Sequence, residues 1–182
     1  MTHNEVPEPG EVRRVLMEAG AVRFGEFTLA SGLKSDVYVD VKKAWTDPGR
    51  LDLIARALAA RVTPSEERLA GMELGAVPLV VATALRLGRP FIVIRKAAKE
   101  HGTRQRFEGE IPPGAQVLLI EDVATSGGSV AQSIEVLRSA GARVERALVV
   151  VDREQGARER LAQLGVRLEA LATLTELRGA PV

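Results

Sequence analysis

The chain has 182 residues, 46% of them apolar and 27% charged, with a net charge of +1, which leaves room for one domain with a full core or one domain plus a small appendage. A charge so near zero sets up no global field to recruit nucleic acid or an anionic membrane. The absence of Cys excludes disulfides, thiolate metal sites and a cysteine nucleophile, and two His leave no material for a multi-histidine metal centre.

The N-terminus, MTHNEVPEPGE, is polar and acidic with no signal-peptide core, and no apolar run approaches the ~18 residues of a membrane span, so the expectation is a cytoplasmic protein. Val12, Val15, Leu16 and Ala19 recur at helical spacing, and Gly20 is placed to stop that helix. The period then changes: Val37, Val39 and Val41 alternate with Tyr38, Asp40 and Lys42 as in a half-buried strand, after a turn-like SGLKS. DPGRLDLIARALAAR reads as an amphipathic helix capped by Asp47 before Pro48.

From residue 68 strands and helices alternate. RLAGMEL is a strand, PLVVATALRLG a buried helix closed by Gly88, PFIVIRK a strand, PPG a turn and AQVLLIED a buried strand. GSVAQSIEVLRSAG is a helix ended by Gly141, VERALVVVD a strand, GARERLAQLG a helix, and VRLEALATLTEL begins as a last strand. Residues 97–110 carry no useful period. Continuous apolar strands alternating with helices predict an α/β fold, a mostly parallel twisted sheet flanked by helices. The expected organisation is a small N-terminal helix/strand hood over residues 1–65 and an α/β core over residues 66–182.

Chemistry concentrates in VLLIEDVATSGGSV, residues 117–130. Gly127 and Gly128 let successive N–H groups converge, Thr125, Ser126 and Ser129 add hydroxyls, and the next helix offers its positive end. This is a monophosphate cradle; neither GxxxxGK[ST] nor GxGxxG is present. Glu121 and Asp122 stand directly before it, which suits a sugar phosphate: carboxylates accept from vicinal ribose hydroxyls while the loop holds the phosphate. The plainer reading is a Gly/Ser turn with Ser126 or Ser129 as helix caps.

VLLIEDVATSGGS resembles the ribose-phosphate signature of type I phosphoribosyltransferases. FGEFTLASGLKSDVYVD (24–40) and RKAAKEHG (95–102) resemble the N-terminal motif and the catalytic loop of orotate phosphoribosyltransferases, in family order. The resemblance implies the type I phosphoribosyltransferase fold and transfer of the phosphoribosyl group of phosphoribosyl pyrophosphate (PRPP) to orotate. Mg²⁺ would be held mainly through PRPP oxygens and water, with no metal-ligating residue assigned. It implies that Arg95, Lys96, Lys99 and His101 contact pyrophosphate, with Lys99 and Asp122 catalytic. Glu121, Asp122, Val123, Ala124, Thr125, Ser126, Gly127, Gly128 and Ser129 hold the ribose phosphate. Arg153, with Thr125, Lys34 and Tyr38, binds orotate; a planar two-pronged cation suits its carboxylate. Between Arg95 and Arg106 five basic residues face one acid, Glu100, with Gly102 and Gly109 as hinges. In the family this loop (95–110) is shared across subunits of a homodimer.

Many relatives have lysine at the positions of Ala30 and Gly75, and Pro at that of Asp36; Lys42 or Lys43 is the candidate to supply the missing charge. Arg153 has an alternative role as a partner of Asp152 or Glu154. Three other readings stand beside the main one: transfer to another base such as adenine or xanthine, a PRPP-sensing nucleic-acid-binding regulator, and an inert α/β scaffold.

Overall fold

In the computed structural model, which describes residues 5–28, 34–97 and 105–179, the chain opens with helix α1 (Pro9–Glu18), started by a reciprocal capping box between Glu8 and Glu11. It buries Val12, Val15 and Leu16. Strands β1 (Val22–Thr28) and β2 (Lys34–Val39) then form an antiparallel hairpin with Arg23 opposite Tyr38 and a bulge between Phe24 and Phe27. A single helical turn, α2 (Lys42–Trp45), leads into α3 (Pro48–Ala59), where Asp47 accepts the Arg50 N–H at 2.9 Å, as its position before Pro48 predicts.

The remainder alternates: β3 (Arg68–Met72), α4 (Val77–Leu87), β4 (Phe91–Ile94), β5 (Phe107–Glu108), β6 (Val117–Ala124), α5 (Gly128–Ser139), β7 (Arg146–Asp152), α6 (Ala157–Gln163), β8 (Arg167–Thr173) and α7 (Leu174–Arg178). The sheet order is β5-β4-β3-β6-β7-β8. Every neighbouring pair is parallel except β4 with β5. The expected α/β architecture is therefore the observed one. After β3 the chain moves outward to β4 on one side. From β6 it moves outward to β7 and β8 on the other. The switch point lies between β3 and β6, and in such sheets ligands bind outside the carboxyl ends of the strands there.

Both faces of the sheet are covered. One cluster joins Leu69, Leu118, Ile120, Leu148 and Val150 to Leu16 of α1, Val37 of β2, Ile54 and Leu58 of α3 and Leu79 of α4. The other joins Leu119, Ala147 and Val149 to Ile134 and Leu137 of α5 and Leu161 of α6. The N-terminal helices and hairpin thus share a core with the sheet. Gly71 permits the close approach of α4, since a Cβ there would lie 2.6 Å from Val80 Cγ2.

Several elements differ from the sequence expectations. Val41 is fully buried but helical, at φ −61° and ψ −20°; the alternation identified its burial, while α2 ends the strand at Val39. Helix α4 is not buried all round: Leu85 is 76% exposed. Two-residue β5 and five-residue α7 are additions. Gly109, expected as a hinge, packs at φ 110° against β4, where a Cβ would lie 2.8 Å from the Phe91 carbonyl oxygen.

Candidate active site

The carboxyl ends of β3 and β6 border a cavity of about 320 Å³. Met72 ends β3 and Glu73, Leu74 and Gly75 follow it, Glu121 and Asp122 lie in the second half of β6, and Ser129 lies in the first turn of α5. Lys42 from α2 and Lys96, just past β4, complete the wall. Four segments distant in sequence converge because the switch point brings their ends together.

Each acid is fixed locally. Asp122 Oδ1 accepts the Val123 N–H at 2.8 Å, and Glu121 Oε1 accepts the Asp122 N–H at 3.1 Å. Glu121 is only 5% exposed. Burial, and then the neighbouring charge of Asp122, push its carboxyl up to about 8, opposed by the Asp122 amide and by Lys96. Lys42 and Lys96 share the cavity wall with Glu73, Glu121 and Asp122. Two cations in the same wall offset the negative charge of the acids in front of the glycine loop.

Lys42 Nζ lies 2.6 Å from Asp40 Oδ1, and this hydrogen bond raises its pKa, with a smaller contribution from Asp122. Lys43 instead points over the Tyr38 ring, 6.0 Å from its centroid. The structure thus brings Lys42, and not Lys43, to the site. At Gly75 a Cβ would lie 2.2 Å from Asp122 Oδ2, so any side chain there displaces that carboxylate. Glu73, which the sequence reading passed over, accepts the Lys96 N–H at 2.8 Å and so orients the second cation. An acid closing a strand, as in ELG at residues 73–75, was the signal available.

The glycine turn leads from β6 into α5. Gly127 is left-handed at φ 74° and gives no side-chain cap to α5. Its close neighbours, Leu161 Cδ1 at 3.0 Å and Ala157 Cα at 3.1 Å from a built Cβ, leave no space for a side chain. Among the described residues, the hydroxyls of Thr125, Ser126 and Ser129 make no hydrogen bond, so neither serine serves as a cap; Ser133, one turn further, bonds the Ser129 carbonyl at 3.0 Å. Val123 packs toward the α3/α4 side and Ala124 toward the α5/α6 side, so these two contribute backbone.

Arg153 follows β7, its N–H donating to the Ala124 carbonyl at 2.8 Å. Its alternative partners are committed elsewhere. Asp152 is paired with Arg158 at 2.7 Å, and Glu154 accepts Thr175 N–H and Oγ1–H at 2.8 and 2.6 Å. Arg153 Nη2 reaches Ser35 Oγ of the hairpin at 3.4 Å, and its Nε is buried without a partner among the described residues. Tyr38 stacks with Phe27 and Arg23 and donates to Asp40 Oδ2 at 3.4 Å, so it touches the cavity only through the Asp40–Lys42 pair. Lys34 is exposed at the start of β2.

Arg95 does not line the cavity; it lies 3.7 Å from Glu108 of β5. Arg106 braces the base of the following segment, donating from Nη2 to the Lys96 carbonyl at 2.8 Å while its own carbonyl accepts the Arg95 N–H at 2.8 Å. Lys99 and His101, with Gly102 and Ala30, lie outside the described residues. A larger cavity of about 890 Å³ runs between β5 and α5; its walls include Arg106, Gly109, Glu110 and Glu135, but none of the residues expected to hold the ribose phosphate or orotate.

Residues 46–165 match the family model described as Phosphoribosyl transferase domain. An orotate phosphoribosyltransferase of Methanosarcina acetivorans is 46% identical over 178 residues, covering 97% of this chain and 95% of that protein. One from Natronomonas pharaonis is 48% identical over 167 residues, covering 92% and 95%. The crystal structure of orotate phosphoribosyltransferase from Aeropyrum pernix superposes with a TM-score of 0.78 at 40% identity, over 91% of this chain and 95% of that one. The Mycobacterium tuberculosis enzyme in complex with PRPP gives 0.76 at 29% identity, over 94% and 99%. With identity at this level along nearly the whole length, the chain belongs to the orotate phosphoribosyltransferase family.

Proposed function

We propose that this protein transfers the 5-phosphoribosyl group of PRPP to orotate, giving orotidine 5'-monophosphate and pyrophosphate in pyrimidine biosynthesis. The C1–O bond to pyrophosphate breaks, its electron pair leaving with pyrophosphate, and a bond from C1 to the pyrimidine nitrogen forms. Positive charge develops on the ribose ring and negative charge on the leaving group. The protein positions the two partners and stabilises both charges; it needs no covalent nucleophile.

The observation that carries this reading is the cavity at the switch point, where Glu121, Asp122 and Ser129 at the end of the glycine loop line one space with the two cations Lys42 and Lys96. The loop from Thr125 to Ser129 takes the 5-phosphate on converging N–H groups and the end of α5. Glu121 and Asp122 take the ribose diol and lie under the ring as it becomes positive. Lys42 and Lys96 face the pyrophosphate. Lys99 and His101 add donors from the segment beyond Lys96, with Lys99 on the leaving group. Arg153, buried at Nε and aimed at the hairpin, receives the orotate carboxylate beside Ser35 and Thr125.

Phosphoribosyltransferases generally use Mg²⁺ with PRPP. Among the described residues no cluster of three or more metal-ligating side chains occurs. The hard carboxylate oxygens of Glu121 and Asp122 fit an ion that takes one or two carboxylates plus phosphate oxygens and waters. When bound, Mg²⁺ supplies charge neutralisation to the pyrophosphate. The functional unit on this reading is a homodimer that shares the 95–110 loop, working in the cytoplasm; none of the described helices is long and apolar enough to cross a membrane.

The deciding experiment is a turnover assay with Mg²⁺, PRPP and, in turn, orotate, uracil, adenine and xanthine. Turnover with orotate alone is expected. Absence of orotate turnover, or preference for a purine, ends this reading.

A further inference from the structure

The match to the general phosphoribosyltransferase domain covers residues 46–165. The hairpin β1–β2 and helix α7 lie outside it on opposite sides, yet they touch. Arg178 Nη2 of α7 meets Asp36 Oδ2 of β2 at 2.5 Å, and the Arg178 guanidinium covers the Phe24 ring at 5.4 Å. Arg13 of α1 reaches Glu176 of α7 at 3.6 Å. On its other side α7 holds the segment after β7. Glu154 takes a left-handed backbone at φ 56°, and its carboxylate accepts both the N–H and the hydroxyl of Thr175. These two hydrogen bonds hold the Glu154 carboxyl below the usual glutamate range.

Arg153 and Ser35 stand immediately beside these anchors: Arg153 precedes Glu154, and Ser35 precedes Asp36. We propose that α7 is a positioning element for the base pocket, with Thr175 setting Arg153 through Glu154 and Arg178 setting Ser35 through Asp36. The inference rests on the assignment of Arg153 to the orotate carboxylate. Its physical basis is that the anchors are exposed: Asp36 is 71% and Arg178 46% exposed at the side chain. Ion pairs so open to water add little stability, because each charge exchanges one good solvation for another. What such a pair does supply is orientation, and a bidentate pocket for a carboxylate depends on orientation. Arg153 directs Nη2 to Ser35 Oγ at 3.4 Å, and Glu154, held by Thr175, fixes the backbone that follows Arg153.

The test is steady-state kinetics on the full-length protein for Arg178→Ala, Arg178→Lys, Thr175→Val and Arg153→Ala, alone and with Arg178→Ala and Arg153→Ala combined, with Tm measured for each. Loss of one positioning contact is expected to raise KM for orotate roughly three- to tenfold, with KM for PRPP and Tm nearly unchanged and with Arg178→Lys largely restoring the wild-type value. In the Arg153→Ala background, Arg178→Ala should add nothing. If Arg153→Ala raises KM for orotate but neither Arg178→Ala nor Thr175→Val does, α7 does not position the pocket. If both substrates' KM values and Tm move together, α7 is merely structural and the inference falls. If Arg153→Ala leaves KM for orotate unchanged, the assignment of Arg153 fails, and the role of α7 fails with it.

Discussion

Gly75 and Asp122 meet with no room between them: a Cβ on Gly75 would sit 2.2 Å from Asp122 Oδ2 and 2.6 Å from its Cγ. The atom that must give way is the end of a short side chain, so the fold can absorb a methyl group, but the carboxylate moves off the site. Gly75→Ala is expected to leave Tm within a few degrees of wild type while lowering kcat/KM for PRPP by roughly 10²-fold, the usual consequence of a displacement near 1 Å. Wild-type kinetics for this variant would mean that Asp122 works from a different position.

Lys42 and Lys43 are adjacent, but only Lys42 lines the cavity; Lys43 lies over the Tyr38 ring. Lys42→Ala should raise KM for PRPP about tenfold or more, the scale of a lost hydrogen bond to a charged group. Lys43→Ala should stay within about twofold of wild type, since an exposed cation–π contact is worth under about 1 kcal/mol. Equal effects from the two substitutions would remove the distinction drawn from the geometry.

Glu121 gives the protein a pH signature. Its folded pKa of about 8 lies above its ordinary value of 4.5. Between these values the folded state holds a proton that the unfolded state has lost, so stability falls as pH rises from about 4.5 to about 8 and is level beyond. Urea unfolding of the ligand-free protein across this window should show a decline on the order of a few kcal/mol, flattened in Glu121→Gln. The ionised form accepts from the ribose diol, so kcat/KM for PRPP should rise through about pH 8. A flat profile in the wild type would show that Glu121 titrates elsewhere.

Arg146 opens β7 at the end of the sheet opposite the site. It is 14% exposed and pairs with Glu66 at 2.5 Å and with Glu169 at 3.1 Å, and Glu66 is itself 6% exposed. Removing one member of a buried ionic cluster strands its partner, at about 3–5 kcal/mol. Arg146→Ala is therefore expected to lose about 3 kcal/mol by urea unfolding, with kcat unchanged at temperatures where the variant is folded. A large loss of kcat in the folded variant would contradict this separation of stability from chemistry.

Features set by local chemistry were legible in the amino-acid order. Asp47 before Pro48 caps α3 because its side chain needs only the next turn. The apolar run into Glu121 and Asp122, then Thr125–Ser129, reads directly as a strand carrying two acids, a glycine turn and a helix. Val41 was half legible: alternation marks a buried side chain but not that the backbone has already turned helical. Two-residue β5 is too short to show a period. Helix α7 did leave a sign, since Thr173 and Glu176 form a reciprocal capping box, a spacing visible in TLTE. Contacts between distant segments were hidden: Gly75 against Asp122, Glu73 under Lys96, and Ser35 beside Arg153 exist only once the strands have paired.

The pairing of β3 with β6, in which Arg68 aligns with Val117 and Ala70 with Leu119, joins halves of the chain that synthesis makes far apart in time. Until that ladder closes, Gly75 and Asp122 are on separate pieces and nothing resembling a PRPP pocket exists. Affinity for PRPP is thus acquired in the same event that completes the central sheet. Substrate selects the finished molecule, and each tenfold excess of PRPP over its Kd adds about 1.4 kcal/mol against unfolding.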